Sequence, residues 1–256
     1  MIDVHCHLEQ KDYNKDREHV IEQCAKELKA MISSCAHLLT RKDYELGLEM
    51  HQKYRDFVFL SMGVHPIYIK KATPEKIDRA VTLVESYKED IVAIGEVGLD
   101  YYWVKDSGLR IKQQDLFKRF IGLAKKLELP LVIHCRDAIE DTLNILEENA
   151  AGIKVMMHLY SYRKHLQRLL DNGYSISIGP SISTSKDLKK IARDMPLDRI
   201  MLETDSPWFG FGKRNTPLAI RQVAEEIAKI KRCGFEEIWK AAGANAVKFF
   251  NLPLQI

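Results

Sequence analysis

The sequence has few cysteines, and they are not arranged as a disulfide framework. Five cysteines occur among 256 residues, an odd number with no Cys-x-x-Cys pair. Small secreted domains that depend on disulfides carry an even, closely spaced set instead. The cysteine pattern therefore excludes a disulfide-stapled scaffold and predicts a protein of the reducing cytoplasm.

Long apolar runs and clusters of basic residues are also missing. Asp3 and His5 stand where a signal peptide needs a basic start and an apolar stretch. No run approaches the roughly 20 apolar residues of a membrane span, so no membrane association is expected. The net charge of +3 is compatible with an anionic substrate, but no Lys/Arg run indicates nucleic-acid binding by charge alone.

What the sequence does contain is a regular alternation of strand-like and helix-like segments. Amphipathic stretches with apolar residues at three- and four-residue spacing are predicted helices, for example 16–30, 113–129 and 138–150. Eight short apolar stretches separated by such segments are predicted strands: IDVH (2–5), MISSCA (31–36), FVFLSM (57–62), VAIGEV (92–97), LVIH (131–134), KVMMH (154–158), YSISI (174–178) and RIMLET (199–204).

This alternation is typical of βαβ units and a parallel sheet. Eight strands, each followed by a helix, predict an α/β fold of the (β/α)8 TIM-barrel type, with extra C-terminal helices at 217–232 and 235–250. An open doubly wound sheet is the alternative. No Pro/Ser-rich linker or low-complexity tract interrupts the chain, so one domain over residues 1–256 is expected.

Metal-competent side chains fall at the carboxyl ends of five predicted strands, where barrel enzymes gather their active sites. Residues i and i+2 of a strand share a face, so the two histidines of the first strand point together and form a clamp for a metal ion. The full set is His5 and His7 after strand one, Glu96 after strand four, His134 after strand five, His158 after strand six and Asp205 after strand eight.

Four imidazoles and two carboxylates exceed the roughly four ligands of one tetrahedral ion, and therefore predict two divalent ions. Two such ions need an anionic bridge, and Glu96 on a middle strand is the predicted bridge. The mixed nitrogen and oxygen ligands disfavour Ca²⁺ and permit Zn²⁺, Mn²⁺, Mg²⁺ or iron.

These residues stand in segments that resemble the TatD-type metal-dependent deoxyribonucleases of the amidohydrolase superfamily. The resemblance runs from Met1 to Phe250 through IDVHCHL, GVHP, IGEVGLDYY, PLVIHCRDA, ETDSPW and KRNTP. It implies a (β/α)8 hydrolase that binds two divalent ions through the six residues above and cleaves DNA phosphodiesters, often as a 3′ to 5′ exonuclease. It also implies substrate contacts for His65 in GVHP and Arg136 in HCRDA.

Two positions depart from the pattern of that family. After strand six, His158-Leu-Tyr-Ser-Tyr stands where the family commonly has His-Cys-Phe-Ser-Gly. After strand one, Glu9 stands where Asp or Asn usually follows the His-x-His-apolar run. Neither departure removes a predicted ligand. The segment after strand six contacts substrate in this interpretation, so the departure there bears on substrate choice.

The leading interpretation is a phosphodiesterase that acts on DNA with water activated by two Mg²⁺, Mn²⁺ or Zn²⁺ ions. Asp205 and Glu96 are the predicted catalytic residues, Asp205 as acceptor or orienting group for the water's proton. An ester or amide hydrolase, such as a D-aminoacyl-tRNA deacylase, is the alternative function, and a non-catalytic binding protein is a third. A monomer is expected.

Several further residues near the predicted strand ends have more than one interpretation. Lys213 and Arg214 in GFGKRN are interpreted as phosphate contacts or as a solvated loop, because the segment lacks a dinucleotide-binding fingerprint. Cys6 and Cys135 lie next to predicted ligands and are expected to face away and pack. The aromatic residues after strands four and eight are expected to be partly core and partly stacking surfaces for bases: Tyr101, Tyr102, Trp103, Trp208 and Phe209.

Overall fold

The computed structural model describes residues 1–37 and 41–256. Eight parallel strands form one sheet in which neighbours in the chain are neighbours in space, in the order β1 to β8. Each strand lies within three residues of its predicted bounds. The strands are β1 (Ile2–Cys6), β2 (Ala30–Cys35), β3 (Val58–Met62), β4 (Ala93–Asp100), β5 (Leu131–Arg136), β6 (Val155–Met157), β7 (Ser175–Ile178) and β8 (Ile200–Leu202).

An α-helix follows every strand, as the alternation in the sequence predicts. The helices are α1 (Arg17–Cys24), α2 (Arg41–Lys53), α3 (Pro74–Ser86), α4 (Ser107–Leu127), α5 (Ile139–Asn149), α6 (Leu166–Asp171), α7 (Lys186–Asp194), α8 (Ile220–Lys231) and α9 (Phe235–Phe250). Of the two predicted C-terminal helices, α8 completes the eighth βα unit, and α9 is added after it.

The sheet curls round so that β1 meets the segment that follows β8. The backbone N–H of Asp205 donates to the His5 carbonyl over 3.0 Å, and the His7 N–H donates to the Ser206 carbonyl over 2.8 Å. These bonds join the two edges of the sheet into a nearly closed barrel. The TIM-barrel prediction is therefore confirmed, and the open doubly wound alternative is wrong.

The barrel has an apolar interior that is closed at the amino ends of its strands. Seven strands and the end of α9 contribute to one buried cluster, which includes Ile2, Ile32 and Phe59. The side chain of Lys154, just before β6, donates to the carbonyls of Lys248 and Phe249 at the end of α9. With this end closed by α9, the opposite, carboxyl end is left for polar chemistry.

Two strands depart from regular alternation, and both carry predicted ligands. Asp3 of β1 pairs with Met31 of β2, and Cys6 pairs with Ser33. Between these pairs β1 therefore advances three residues while β2 advances two. As a result Val4 belongs to the interior cluster and Cys6 to the outer one, although residues two apart normally share a face. The same shift occurs in β4 between Ile94 and Val97, on either side of Glu96. Such irregularities re-aim side chains, here His5 and Glu96.

Buried polar residues fasten the closing segment after β8. The Asp3 carboxylate accepts the N–H groups of His5 and Thr204 and the hydroxyl of Thr204, over 3.2, 3.1 and 2.6 Å. Asn215 donates its side-chain N–H to the Thr204 carbonyl, and Tyr13 donates its hydroxyl to the Asn215 carbonyl. A single unsatisfied buried group costs about 1–3 kcal/mol, so these bonds hold the segment firmly.

None of the helices in the described ranges has an apolar stretch sufficient to traverse a bilayer. The expectations of one domain over residues 1–256, a monomer and a cytoplasmic location stay predictions.

Candidate metal centre

His5 at the end of β1, His7 just after that strand and a carboxylate from the segment after β8 meet at the carboxyl end of the barrel. Nε2 of His5 lies 3.1 Å from Nε2 of His7. The Oδ1 atom of Asp205 lies 3.2 Å from Nε2 of His7 and 3.7 Å from Nε2 of His5. All three residues are buried. Two imidazole nitrogens and a carboxylate oxygen thus face one point, as the ligands of a single ion would.

Glu96 on β4 connects this group with a second one. Its Oε2 atom lies 3.4 Å from Nε2 of His5 and 3.9 Å from Nε2 of His7. Its Oε1 atom lies 2.6 Å from Nδ1 of His134 and 3.7 Å from Nε2 of His158. The structure therefore brings all six sequence-predicted ligands together, with the two oxygens of Glu96 facing two different sets of imidazoles.

The donor set fits divalent ions because the imidazoles are oriented with an acceptor nitrogen towards the carboxylates. In two of them the other nitrogen is hydrogen-bonded elsewhere: Nδ1 of His7 lies 3.1 Å from the Ser34 carbonyl, and Nδ1 of His158 lies 2.7 Å from Glu203, whereas the buried Nδ1 of His5 has no hydrogen-bond partner among the described residues. When these nitrogens carry the proton, each Nε2 keeps a free lone pair. By distance alone, three sets of histidine and carboxylate atoms lie close enough together to hold an ion: His5, His158, Asp205; His5, His7, Glu96; and His65, Glu96, His134.

His65, which the resemblance assigns to substrate, lies beside the second group, and its tautomer distinguishes it from the other histidines. Its Nδ1 accepts the backbone N–H of Ile67 over 3.1 Å, so in the neutral ring the proton is on Nε2. Burial and the neighbouring His134 lower the pKa of His65 to about 3, so the ring is neutral. Its Nε2 lies 3.2 Å from Nδ1 of His134. His65 therefore offers an N–H donor at the site.

Three carboxylates that orient the imidazoles are missing from the sequence-based set. Glu203 binds Nδ1 of His158 and also accepts the backbone N–H of Leu159, both over 2.7 Å. Asp100 lies 3.1 Å from Nε2 of His134, and Glu9 lies 3.3 Å from Nδ1 of His7. Carboxylates of this kind fix the tautomer and the ring orientation of metal-binding histidines. Their signal in the sequence is an acidic residue a few positions from a predicted ligand.

The carboxylates and imidazoles shift one another's protonation. Burial opposes ionisation of Glu96, but His65, His158 and a hydrogen bond from His134 outweigh it and hold the pKa of Glu96 well below its usual range. Burial likewise opposes the charged form of His158, but Glu203 and Glu96 outweigh it and raise the pKa of His158 to about 9. The site therefore retains positive charge, which protons supply when no metal ion is bound.

Asp205 has two further features suited to a functional carboxylate. Its backbone is left-handed, with φ of 48°, a conformation that is uncommon outside glycine and persists only where the surroundings enforce it. Burial opposes its ionisation, but the hydrogen bond from His7 and the charge of His158 hold its pKa below the usual range. Asp205 is therefore ionised near neutral pH.

A cavity of about 910 Å³ opens above these residues. Glu96, His134, His158 and Asp205 lie at its floor, and the loops after β3, β4, β6 and β8 form its walls. The volume is within the usual range of ligand pockets, roughly 300–1,000 Å³. The cavity is therefore large enough for part of a substrate while the candidate ligands stay at its base.

The predicted substrate-contacting basic residues differ in where they lie. Arg136 lines the cavity, with its guanidinium 4.0 Å from the ring centroid of Tyr102. Arg214 forms two hydrogen bonds with Asp16, over 2.7 and 2.6 Å, and stacks on Tyr13. Neither Lys213 nor Arg214 is among the lining residues. Arg214 thus has a structural role at the base of α1, and its predicted phosphate contact stays a prediction.

The aromatic residues divide between core and rim, as expected. Tyr101 is buried and donates its hydroxyl to Asp141 on α5, whereas the other four are exposed: Tyr102, Trp103, Trp208 and Phe209. Cys6 packs in the outer core, as predicted. The Cys135 sulfur accepts the Thr142 hydroxyl, and burial raises its pKa to about 11, which makes a nucleophilic role unfavourable.

The chain is similar to known proteins over nearly its whole length. A family model described as TatD related DNase matches residues 2–251. The human protein named deoxyribonuclease TATDN3 is 34% identical over 262 residues, which covers 98% of this chain and 94% of that protein. The Bacillus subtilis protein YabD, named a metal-dependent hydrolase, is 35% identical over 260 residues, which covers 98% of this chain and 99% of that protein.

The fold is also found among solved structures. The crystal structure of YJJV, a TatD homologue from Escherichia coli K12, superposes with a TM-score of 0.88 at 24% identity. The match covers 99% of this chain and 98% of that chain. At this level of identity the likeness supports the fold alone.

The raised pKa of His158 predicts a pH-dependent stability of the metal-free protein. The folded state keeps the proton up to about pH 9, whereas the unfolded chain releases it near its ordinary value of 6.5. The stabilisation is therefore fully present below pH 6.5 and is lost as the pH rises through 9. We expect the free energy of unfolding, measured by urea titration after chelation, to fall by on the order of 3 kcal/mol across this window.

The variant Glu203→Gln provides the control, because it removes the nearest negative charge and keeps the side-chain size. Its free energy of unfolding should depend less on pH between 6.5 and 9, and the His158 ring should titrate at lower pH in an NMR experiment. An unchanged titration of His158 in this variant would contradict the assigned cause.

Proposed function

Since the chain belongs to the family of TatD-related deoxyribonucleases, a family of metal-dependent hydrolases, we propose that it hydrolyses phosphodiester bonds of DNA with the help of two divalent ions. The ions would be held by the six sequence-predicted ligands, His5, His7, Glu96, His134, His158 and Asp205. Mg²⁺, Mn²⁺ and Zn²⁺ all suit this mixture of nitrogen and oxygen donors.

One observation carries the two-ion proposal. The Oε2 atom of Glu96 faces His5 and His7 at 3.4 and 3.9 Å, while its Oε1 atom faces His134 at 2.6 Å. A carboxylate whose two oxygens face separate sets of imidazoles is suited to bridging two ions and offsetting their repulsion. A single tetrahedral ion would leave several of these buried donors without a partner.

Bound divalent ions would polarise the phosphoryl group and promote the ionisation of water. The chain's own residues supply the remaining functions. Asp205, ionised and buried at the cavity floor, orients the attacking water and accepts its proton as the new P–O bond forms, while the P–O3′ bond breaks and the 3′ oxygen leaves as a hydroxyl after taking up a proton. The Nε2–H of the neutral His65 donates to a non-bridging phosphate oxygen, and the Arg136 guanidinium attracts the phosphate charge.

The proposed polarity is 3′ to 5′, beginning at a free end. The candidate ligands lie at the base of a cavity whose walls are loops, and an intact duplex is too wide to bring an internal phosphate to that depth without local melting. A single-stranded or frayed end can enter the cavity. The family resemblance supports the 3′ end as the point of attack.

Hydrolysis of model substrates tests the proposal directly. The protein is chelated, reloaded with Mg²⁺, Mn²⁺ or Zn²⁺, and assayed on bis-p-nitrophenyl phosphate, on end-labelled single-stranded DNA and on an aminoacyl ester. Metal-dependent cleavage of the phosphodiesters supports the proposal. Cleavage of the ester alone would favour the alternative hydrolase function, and a metal content well below one ion per chain would favour a non-catalytic protein.

Glu96→Gln tests the bridge. The amide keeps the size of the side chain but loses the charge that would offset two dications, so bound metal and phosphodiesterase activity should both fall, activity by at least about 100-fold. Metal analysis and the chromogenic assay provide the measurements. Glu148→Gln, an exposed position on α5, is the matched control and should behave as the unsubstituted protein. Two ions and full turnover in Glu96→Gln would refute the proposed site.

Asp205→Asn separates proton transfer from metal binding. The amide oxygen can still act as a ligand, but the side chain no longer accepts a proton. We expect most of the metal to remain and kcat to fall more than KM rises. If only KM changed, Asp205 would be a binding residue rather than the proton acceptor.

Substrate form provides the test of end-directed cleavage. Single-stranded or frayed DNA should be degraded faster than blunt duplex, from the 3′ terminus and with little base preference, because backbone contacts carry no sequence information. The rate at subsaturating substrate should fall as salt rises. Equal rates on closed circular duplex and on linear single strands, at matched nucleotide concentration, would exclude the end-directed model and leave the hydrolytic chemistry in place.

A further inference from the structure

Exposed large apolar side chains are concentrated at one end of the barrel. Eight such residues occur in the described part of the chain, and six of them lie in loops that follow β3, β4 and β8. These six are Ile67, Tyr102, Trp103, Trp208, Phe209 and Phe211. All three loops belong to the carboxyl end of the barrel, so the apolar surface surrounds the entrance of the cavity above Glu96.

Two tryptophans line this cavity from opposite sides. Trp103 follows β4 and Trp208 follows β8, and both are lining residues. In a closed sheet ordered β1 to β8, strands β4 and β8 are separated by three strands in either direction. The two residues are 54% and 44% exposed, respectively. Each wall of the cavity therefore offers an accessible aromatic surface.

The Trp208 ring is positioned directly against the candidate metal centre. Its centroid lies 4.6 Å from that of the His7 ring, at an interplanar angle of 63°. The indole thus extends from a candidate ligand to the solvent. A planar group that stacks on Trp208 would lie beside the cavity floor.

The opposite wall combines aromatic rings with a cation. The Arg136 guanidinium lies 4.0 Å from the Tyr102 ring centroid and 5.8 Å from that of Trp103. The two rings contact each other edge to face, with centroids 4.8 Å apart. Among the side chains described, those of residues 1–37 and 44–256, no carboxylate forms an ion pair with Arg136. This wall therefore offers a flat surface next to a positive charge that is not neutralised.

We propose that Trp103 and Trp208 form two nucleobase-stacking subsites on either side of the reacting phosphate, so that the unit recognised is a single-stranded segment with two unstacked bases. The proposal rests on the phosphodiesterase function proposed above and specifies its substrate. Planar bases match the two indole surfaces, and the phosphate charge matches Arg136 and the candidate metal floor. Every base has a face that can stack, so the two subsites give little sequence preference.

The experiment measures binding of two-nucleotide probes to the metal-loaded protein. The probe is a thymidine dinucleotide in which a methylene group replaces the 3′ bridging oxygen, so that the proposed scissile bond is absent. Three further probes lack the 5′ base, the 3′ base or both bases. Calorimetry gives the dissociation constants, and tryptophan fluorescence reports stacking because two of the three tryptophans lie in the cavity. Trp239, packed against Phe235 on α9, is the internal reference.

Trp103→Ala and Trp208→Ala should each raise the Kd of the two-base probe roughly 5- to 150-fold, the range expected for loss of one stacked base. Each variant should affect only one of the two single-base probes, and neither should change binding of the probe without bases by more than about twofold. Trp208→Phe, which retains a ring, should recover most of the affinity. Phe211→Ala is the matched control, since Phe211 is 65% exposed in the same loop as Trp208 but does not line the cavity.

Equal Kd values for the two-base and base-free probes would overturn the proposal, as would alanine variants no weaker than Phe211→Ala. Hydrolysis of bis-p-nitrophenyl phosphate separates this failure from failure of the proposed function. Phosphodiester cleavage without base-dependent binding would rule out the stacking subsites and leave the proposed phosphodiesterase function in place. If the two tryptophans govern base-dependent binding but no phosphodiester is cleaved, the stacking subsites are supported and the proposed phosphodiesterase function is ruled out.

Discussion

Buried negative charge at the carboxyl end of the barrel is the constraint on which the rest of the structure depends. Glu96, Asp205 and Glu203 are all buried there, and carboxylates removed from water need compensating charge. Protonated imidazoles supply it in the chain alone, and this is why the pKa of His158 rises to about 9. Divalent ions would supply the same compensation by displacing those protons. The site is thus suited to positive charge of either kind, and its metal affinity should depend on pH.

Strand geometry is irregular at the points where the buried carboxylates and imidazoles are brought together. The register shifts in β1 and β4 lie where His5 and Glu96 must face the barrel end. Asp205 adopts a left-handed backbone conformation, and its N–H donates to the His5 carbonyl. The residue with the irregular backbone, Asp205, therefore also forms one of the hydrogen bonds that close the barrel. The energetic cost of these departures is offset by the regular apolar interior below, which α9 covers.

The fold and the six candidate ligands are predictable from the sequence because both depend on local patterns. Strand alternation and helix periodicity predict eight βα units, and the rule that barrel sites lie at strand ends selects the polar residues. The orienting carboxylates are not predictable in this way. Glu203 precedes Asp205 by two residues, yet one binds the far nitrogen of His158 while the other faces His7. Which nitrogen a carboxylate meets depends on ring orientation, which only the packed structure determines.

Arg136 and Arg214 illustrate the same limit for substrate contacts. Both are arginines near predicted strand ends and both stack on a tyrosine ring. Asp16 offsets the charge of Arg214, whereas Arg136 lies against an aromatic ring and has no carboxylate partner among the described side chains. An aromatic ring holds a guanidinium in place without cancelling its field at longer range. The electrostatic character of the cavity entrance is therefore set by which cations lack a carboxylate partner rather than by how many cations the loops contain.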